Sequence, residues 1–165
     1  MIEFALLAMP FFAIMTAILQ TSLVFMSGQI LESAVQDASR MIRTGQAQTR
    51  KDTLASFRSN VCDRLYGLFS DCSGLHVRVS VVSNFQSATV EPPVDWTCKT
   101  EDCGWTKDEN YTPGAGSNVV LVQVYYKYPV LLNLNFLGGS LGLSNLHDGR
   151  RLLGAVTVFR NEPFT

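Results

Sequence analysis

Residues 4–26 read Phe4-Ala-Leu-Leu-Ala-Met-Pro-Phe-Phe-Ala-Ile-Met-Thr-Ala-Ile-Leu-Gln-Thr-Ser-Leu-Val-Phe-Met26, 23 consecutive residues without a charge. As a helix this stretch is roughly 34 Å long at 1.5 Å per residue, enough to cross a hydrocarbon core of about 30 Å. Eleven of the 23 are Leu, Ile, Val or Phe, and each favours insertion by roughly 0.3–0.6 kcal/mol. A cleavable signal peptide needs a basic leading region, a shorter apolar core and a small-x-small cleavage site. No Lys or Arg precedes this run, and Ser27-Gly28-Gln29 makes a poor cleavage site. The stretch therefore reads as a retained transmembrane helix. Pro10 removes the backbone bond to Leu6 and predicts a kink within the span.

Beyond the span, Ile30, Leu31, Ala34, Val35, Ala38, Met41 and Ile42 recur at spacings of one, three and four, which gathers them into one helical stripe. Glu32, Gln36, Asp37, Arg40 and Arg43 take the opposite side. No proline or turn cluster interrupts the passage, so the membrane helix is expected to continue into water and to stop near Gly45. Thr16 and Gln20, four residues apart, share a face from which they can hydrogen-bond a neighbouring helix. Working outward, the organisation is residues 1–48 as a transmembrane helix with an amphipathic continuation, and residues 49–165 as a globular domain.

Within that domain a second helix is expected from Thr49 to Phe69, with Leu54, Phe57, Val61, Leu65 and Leu68 on one face. Leu75 to Val81 alternates with period two, as a half-buried strand does. Asn118 to Tyr128 is β-branched and aromatic throughout and predicts a central strand buried on both faces. Leu152 to Arg160 supplies a further strand. With no long crossover helices between them, three to four strands predict a small antiparallel sheet packed on helices, an α+β fold.

Glu91 to Tyr111 is polar and acidic and reads as a solvated loop; it lacks the ligand spacing of a calcium loop. Pro129 to Leu146 (PVLLNLNFLGGSLGLSNL) is too apolar for an idle exposed loop. It either folds over the sheet or presents a surface, with Leu137 and Leu141 at its centre, to a partner or the bilayer. Four cysteines (Cys62, Cys72, Cys98, Cys103) follow the span. In an oxidising compartment two disulfides are expected, and local pairing, Cys62 with Cys72 and Cys98 with Cys103, is preferred among the three connectivities. A zinc site is the competitor, but these spacings are loose for it.

Chemistry is sparse. With a net charge of −1, the chain lacks the basic surplus of a nucleic-acid binder. The two histidines, His76 and His147, stand in no nucleophile or metal motif, and phosphate-binding, dinucleotide and nucleophile-elbow signatures are absent. No cofactor, metal or catalytic residue is expected. Glu3, at the head of an uncharged run, is costly unless it stays at the interface or finds a partner.

The segment Ile2-Glu-Phe-Ala-Leu-Leu-Ala-Met-Pro-Phe-Phe12, followed by Gln29-Ile-Leu-Glu-Ser-Ala-Val-Gln-Asp-Ala-Ser-Arg40 and Thr44-Gly45, resembles the N-terminal segment of TadE-like pseudopilins. That family belongs to bacterial tight-adherence (Flp-type) pilus systems. The resemblance covers residues 1–45; the ending Ala155 to Phe164 and the Cys62/Cys72 region are similar to alphaproteobacterial members. It implies a pilin-like subunit in the inner membrane, with its folded part periplasmic or carried outside in the pilus. The implied partners are other pilus or pseudopilin subunits and the assembly machinery. It also implies that Glu3 neutralises the terminal amine of a neighbouring subunit and so sets register, a role in which a buried ion pair serves specificity more than stability.

Pilin-like precursors carry a short leader ending in Gly, whereas Met1 lies two residues ahead of Glu3; either a leader precedes this start or this member is not processed. Arg40, Arg43, Arg50 and Lys51 follow the span, and charge counting alone places that side in the cytoplasm. The cysteines and the resemblance place it outside. The alternative function is a membrane-tethered periplasmic binding or adhesin module that uses the 129–146 segment or the acidic loop.

Overall fold

The computed structural model describes residues 2–69, 72–100, 103–130 and 143–164, with side chains from residue 7 onward. Helix α1 (Ile2–Arg43) runs unbroken through Pro10 for 42 residues, roughly 63 Å. It ends where Gly45 adopts φ 78°, a left-handed conformation that a Cβ resists. A Cβ there would also meet the Phe164 ring at 2.7 Å. Two constraints thus call for glycine at the position the sequence marks as the stop.

The expected second helix is two pieces, α2 (Gln46–Arg50) and α3 (Leu54–Cys62). Lys51 turns left-handed at φ 56°, and Thr53 restarts the helix as an N-cap, its Oγ1 accepting from the Ser56 N–H at 3.3 Å. From Asp63 to Phe69 the chain leaves helix in a run of turns.

Four strands follow: β1 (His76–Val82), β2 (Asn110–Tyr111), β3 (Val119–Pro129) and β4 (Arg150–Arg160). The sheet order is β2-β1-β3-β4. β1–β3 and β3–β4 are antiparallel, with Val79 opposite Val122 and Val124 opposite Ala155. β2 pairs parallel to β1, Arg78 opposite Asn110. The sheet is therefore mixed where an antiparallel one was expected. The difference arises because Glu91 to Tyr111 is not wholly solvated loop: it returns along the outer edge of β1 and buries Val94 and Cys103.

α1 and α3 cover one face of the sheet. Leu31, Ala34, Val35, Ala38 and Ile42 of α1, with Phe57, Val61 and Leu65, pack against Val77, Val79, Val120, Val122, Val124, Tyr126, Leu153 and Ala155. The opposite face is closed over as well, which is why β3 buries every residue from Val120 to Tyr126. There His76, Leu121, Gln123 and Tyr125 lie buried, and the Trp105 ring stacks on His76 at 4.4 Å between centroids.

Candidate functional site

The site follows from how α1 divides. From Gln20 to Ile42 one face of the helix is buried; of the expected stripe, Leu31, Ala34, Val35, Ala38 and Ile42 are fully buried, while Ile30 and Met41 are half-buried at its margins. Small residues at Ala34 and Ala38 let the helix backbone approach the sheet closely. The same face takes in the hydroxyls of Ser27 and Ser39, neither with a hydrogen-bond partner among the described residues.

Toward the N-terminus the burial pattern ends. Phe11, Leu19 and Phe25 are 59%, 61% and 69% exposed, and Leu7, Met9, Phe12, Ile14, Ile18 and Leu23 are exposed with them. A core helix of a soluble protein hides such residues; here only 11% of the most apolar window, with mean hydropathy 1.8, is buried. Exposure of large apolar side chains on all sides of a helix is the pattern of a segment solvated by lipid or by neighbouring helices.

The hydroxyls of this half bond within the helix. Thr16 Oγ1 donates to the Phe12 carbonyl at 2.7 Å, and Thr21 and Ser22 donate to the carbonyls four residues back in the same way. The Thr16 hydroxyl proton is thus spent inside its own helix, and its lone pairs are what it offers a neighbour. Gln20, one turn on, is buried where Thr16 is exposed, so the two differ in what a neighbour can reach. The backbone of Glu3 lies in the first turn of α1; its side chain lies outside the described residues, as do Leu137 and Leu141.

Downstream, sulfur and charge tie the folded part together. Cys62, the last residue of α3, is bonded to Cys72 with Cα atoms 5.8 Å apart. Cys98 is bonded to Cys103 with Cα atoms 6.0 Å apart. The second bridge holds the loop that carries Trp105 onto the sheet, where the Lys127 ammonium lies 4.5 Å from the Trp105 ring centroid and donates to the Cys103 carbonyl.

One ion pair unpromised by spacing joins distant segments: Arg58 on α3 donates to both oxygens of Glu109 at 2.6 Å. Glu109 also accepts the Val77 N–H at 2.9 Å, closing the edge of β1 ahead of β2. Partial burial works against ionisation of Glu109, yet the hydrogen bonds from Arg58 and Val77, with the Arg58 charge, hold its carboxyl below the usual range. Burial pushes the His76 imidazole down, helped by Arg78 and Arg58 and opposed by Glu109. Burial, with the Asp52 charge, pushes the Tyr111 hydroxyl up to about 12. Arg58, Glu109, Trp105 and Lys127 carry no sequence signal of their association, since each pair is brought together by tertiary folding alone.

These are the features of a braced scaffold. Among the described residues no three of His, Cys, Asp and Glu gather to hold a metal ion. A groove of about 480 Å³ at the Val82/Val119 end of the sheet holds Ser83 and Ser117 with no histidine beside them.

Residues 1–40 match the family model described as TadE-like protein. This N-terminal segment is TadE-like. No curated protein and no solved structure matches the chain. The TadE-like segment takes in the exposed apolar half of α1 together with most of the stripe that docks on the sheet, so the family match and the structural site fall on the same residues. A single apolar N-terminal helix of this length fits membrane anchoring.

Proposed function

We propose that this chain is a non-enzymatic, pseudopilin-like subunit that serves assembly or structure of a bacterial tight-adherence pilus. The observation that carries the proposal is the coincidence of the TadE-like match with a helix that is sheet-docked at one end and apolar and exposed at the other. Such a helix has two compatible solvents, lipid and the helices of like subunits, and can pass from one to the other without refolding.

In this reading residues 1–48 anchor the protein in the inner membrane, and residues 49–165 form its periplasmic part, where the two disulfides are stable. The partners are other pilus or pseudopilin subunits and the assembly machinery. Glu3, in the first turn of α1, meets the terminal amine of a neighbour and fixes the stagger between adjacent helices, since a charge in an apolar bundle tolerates only the position that pairs it. Deleting the gene and counting surface pili by electron microscopy tests the proposal. Loss or sharp reduction of pili, restored by the intact gene and not by a Glu3→Ala version, is expected; unchanged piliation refutes it.

A further inference from the structure

The end of the folded part that lies beside the membrane helix is marked by aromatic and basic side chains. Its position follows from the strand lengths. The far end of β4 is fixed to the end of α1, where the Glu162 N–H donates to the Arg43 carbonyl at 2.9 Å. From Arg160, β4 runs back ten residues to Arg150, about 33 Å at 3.3 Å per residue. From Arg43 back to Gln20, the last buried residue of α1 among the described ones, is about 34 Å of helix. The Pro129/Arg150 end of the sheet thus lies level with the point where α1 becomes apolar on all sides.

At that level Phe69 packs edge-on to Tyr126 at 4.7 Å and to Tyr128 at 5.9 Å between centroids. Three residues before Phe69, Tyr66 stands 83% exposed on a left-handed turn. Arg150 and Arg151 occupy the same end of β4, opposite Pro129 and Tyr128. Asp148 accepts from Arg150 at 2.8 Å, and Arg151 donates to the Leu143 carbonyl at 2.8 Å. Tyrosines with an apolar body and a polar tip, interleaved with arginines, are the side chains that settle in the headgroup layer of a bilayer.

We infer that this rim is a second membrane contact: Tyr66, Tyr128 and Arg151 seat on the phospholipid headgroups and hold the sheet against the bilayer surface. The inference rests on the proposed anchoring by α1, and it adds a fixed orientation of the folded part to it. Continuity with the apolar half of α1 is what selects lipid as the occupant, since a helix in the bilayer carries this end of the sheet to the surface.

The test uses the full chain in vesicles of phosphatidylcholine and phosphatidylglycerol, with a nitroxide on one introduced cysteine at a time: Leu19→Cys, Tyr66→Cys or Phe85→Cys. The native cysteines are bonded to one another and do not take the label. Power-saturation measurements with oxygen and with a nickel chelate report depth. The expected result is a Leu19 label in hydrocarbon, a Tyr66 label at headgroup depth with an oxygen-to-nickel ratio several-fold above that of Phe85, and a Phe85 label in water. The Arg151→Glu substitution should move the Tyr66 label toward the Phe85 value. A Leu19 label in hydrocarbon with Tyr66 as aqueous as Phe85 overturns the rim contact and leaves the anchor. An aqueous Leu19 label overturns both.

Discussion

Leu19 and Leu31 are the same residue on the same helix, 61% and 0% exposed, and truncating each to alanine separates the two halves of α1. Leu31→Ala removes three carbons from a site closed by the sheet. At about 0.8 kcal/mol per buried methylene the transfer loss alone is about 2.4 kcal/mol, and the cavity left behind raises the cost to about 3–4 kcal/mol. Leu19→Ala removes the same atoms from a position that no part of the folded domain covers, so its cost to folding should stay within about 0.5 kcal/mol. The assay is urea denaturation of the full chain in a mild detergent, followed by tryptophan fluorescence, in which the change on unfolding comes from Trp105 losing its stacking on His76 while Trp96 is already exposed. At a slope of about 2 kcal/mol/M, Leu31→Ala should lower the midpoint by about 1.5–2 M, with Leu19→Ala unchanged. Equal midpoints for the two variants would refute the division of the helix into a docked and an undocked half.

Three further outcomes follow from the braces of the folded part. Replacing Cys62 and Cys72 together by serine should cost about 2–3 kcal/mol on the chain-entropy estimate for so short a loop, measured as a urea midpoint; peptide mapping without reductant should recover Cys62 joined to Cys72 and Cys98 joined to Cys103. Arg58→Ala leaves the half-buried Glu109 without its charged donor and should cost about 1–3 kcal/mol. Because the Glu109 carboxyl is held below its ordinary range, its stabilisation is complete at neutral pH and is lost as pH falls below about 4.5. Arg58→Ala should flatten that acid limb of the stability curve, and an unaltered limb counts against the pair. The buried His76 titrates the other way in charge with the same sign in stability: its folded state binds a proton less readily than the unfolded chain, so stability should drop as pH falls through 6.5. His76→Phe should remove that drop in a pH series of melting temperatures.

The parts legible in the sequence are those that depend on periodicity. The charge-free run, the Leu31-to-Ile42 stripe at helical spacing, the period-two alternation of Leu75 to Val81 and the β-branched, aromatic run of Asn118 to Tyr128 each keep one chemical pattern over many residues, and the observed long strands agree with the expected ones within about two residues. Gly45 was legible because a stop needs a left-handed residue there. The rest depends on contacts between segments far apart in the chain. β2 has two residues, Asn110 and Tyr111, within a stretch of acidic sequence; its parallel alignment rests on the edge of β1 and on Arg58 reaching Glu109 from α3. The break between α2 and α3 had a local signal, Thr53 three residues ahead of Ser56, which the continuing apolar spacing of Leu54 to Leu68 masked. The covering of the second sheet face by Trp105 had none, since nothing near Trp105 in sequence names His76 or Lys127 as its neighbours.

The central claim is that an apolar half-helix stays in the inner membrane and holds the folded part outside it. Protease treatment of spheroplasts carrying a C-terminally tagged chain, with the membranes then washed in alkaline carbonate, tests it most directly. The expected result is a full-length protein that stays in the washed pellet from untreated cells, and a tag that is removed in spheroplasts and spared in intact cells. A tag spared in spheroplasts until the inner membrane is lysed, or a full-length chain released as a soluble monomer, would contradict it.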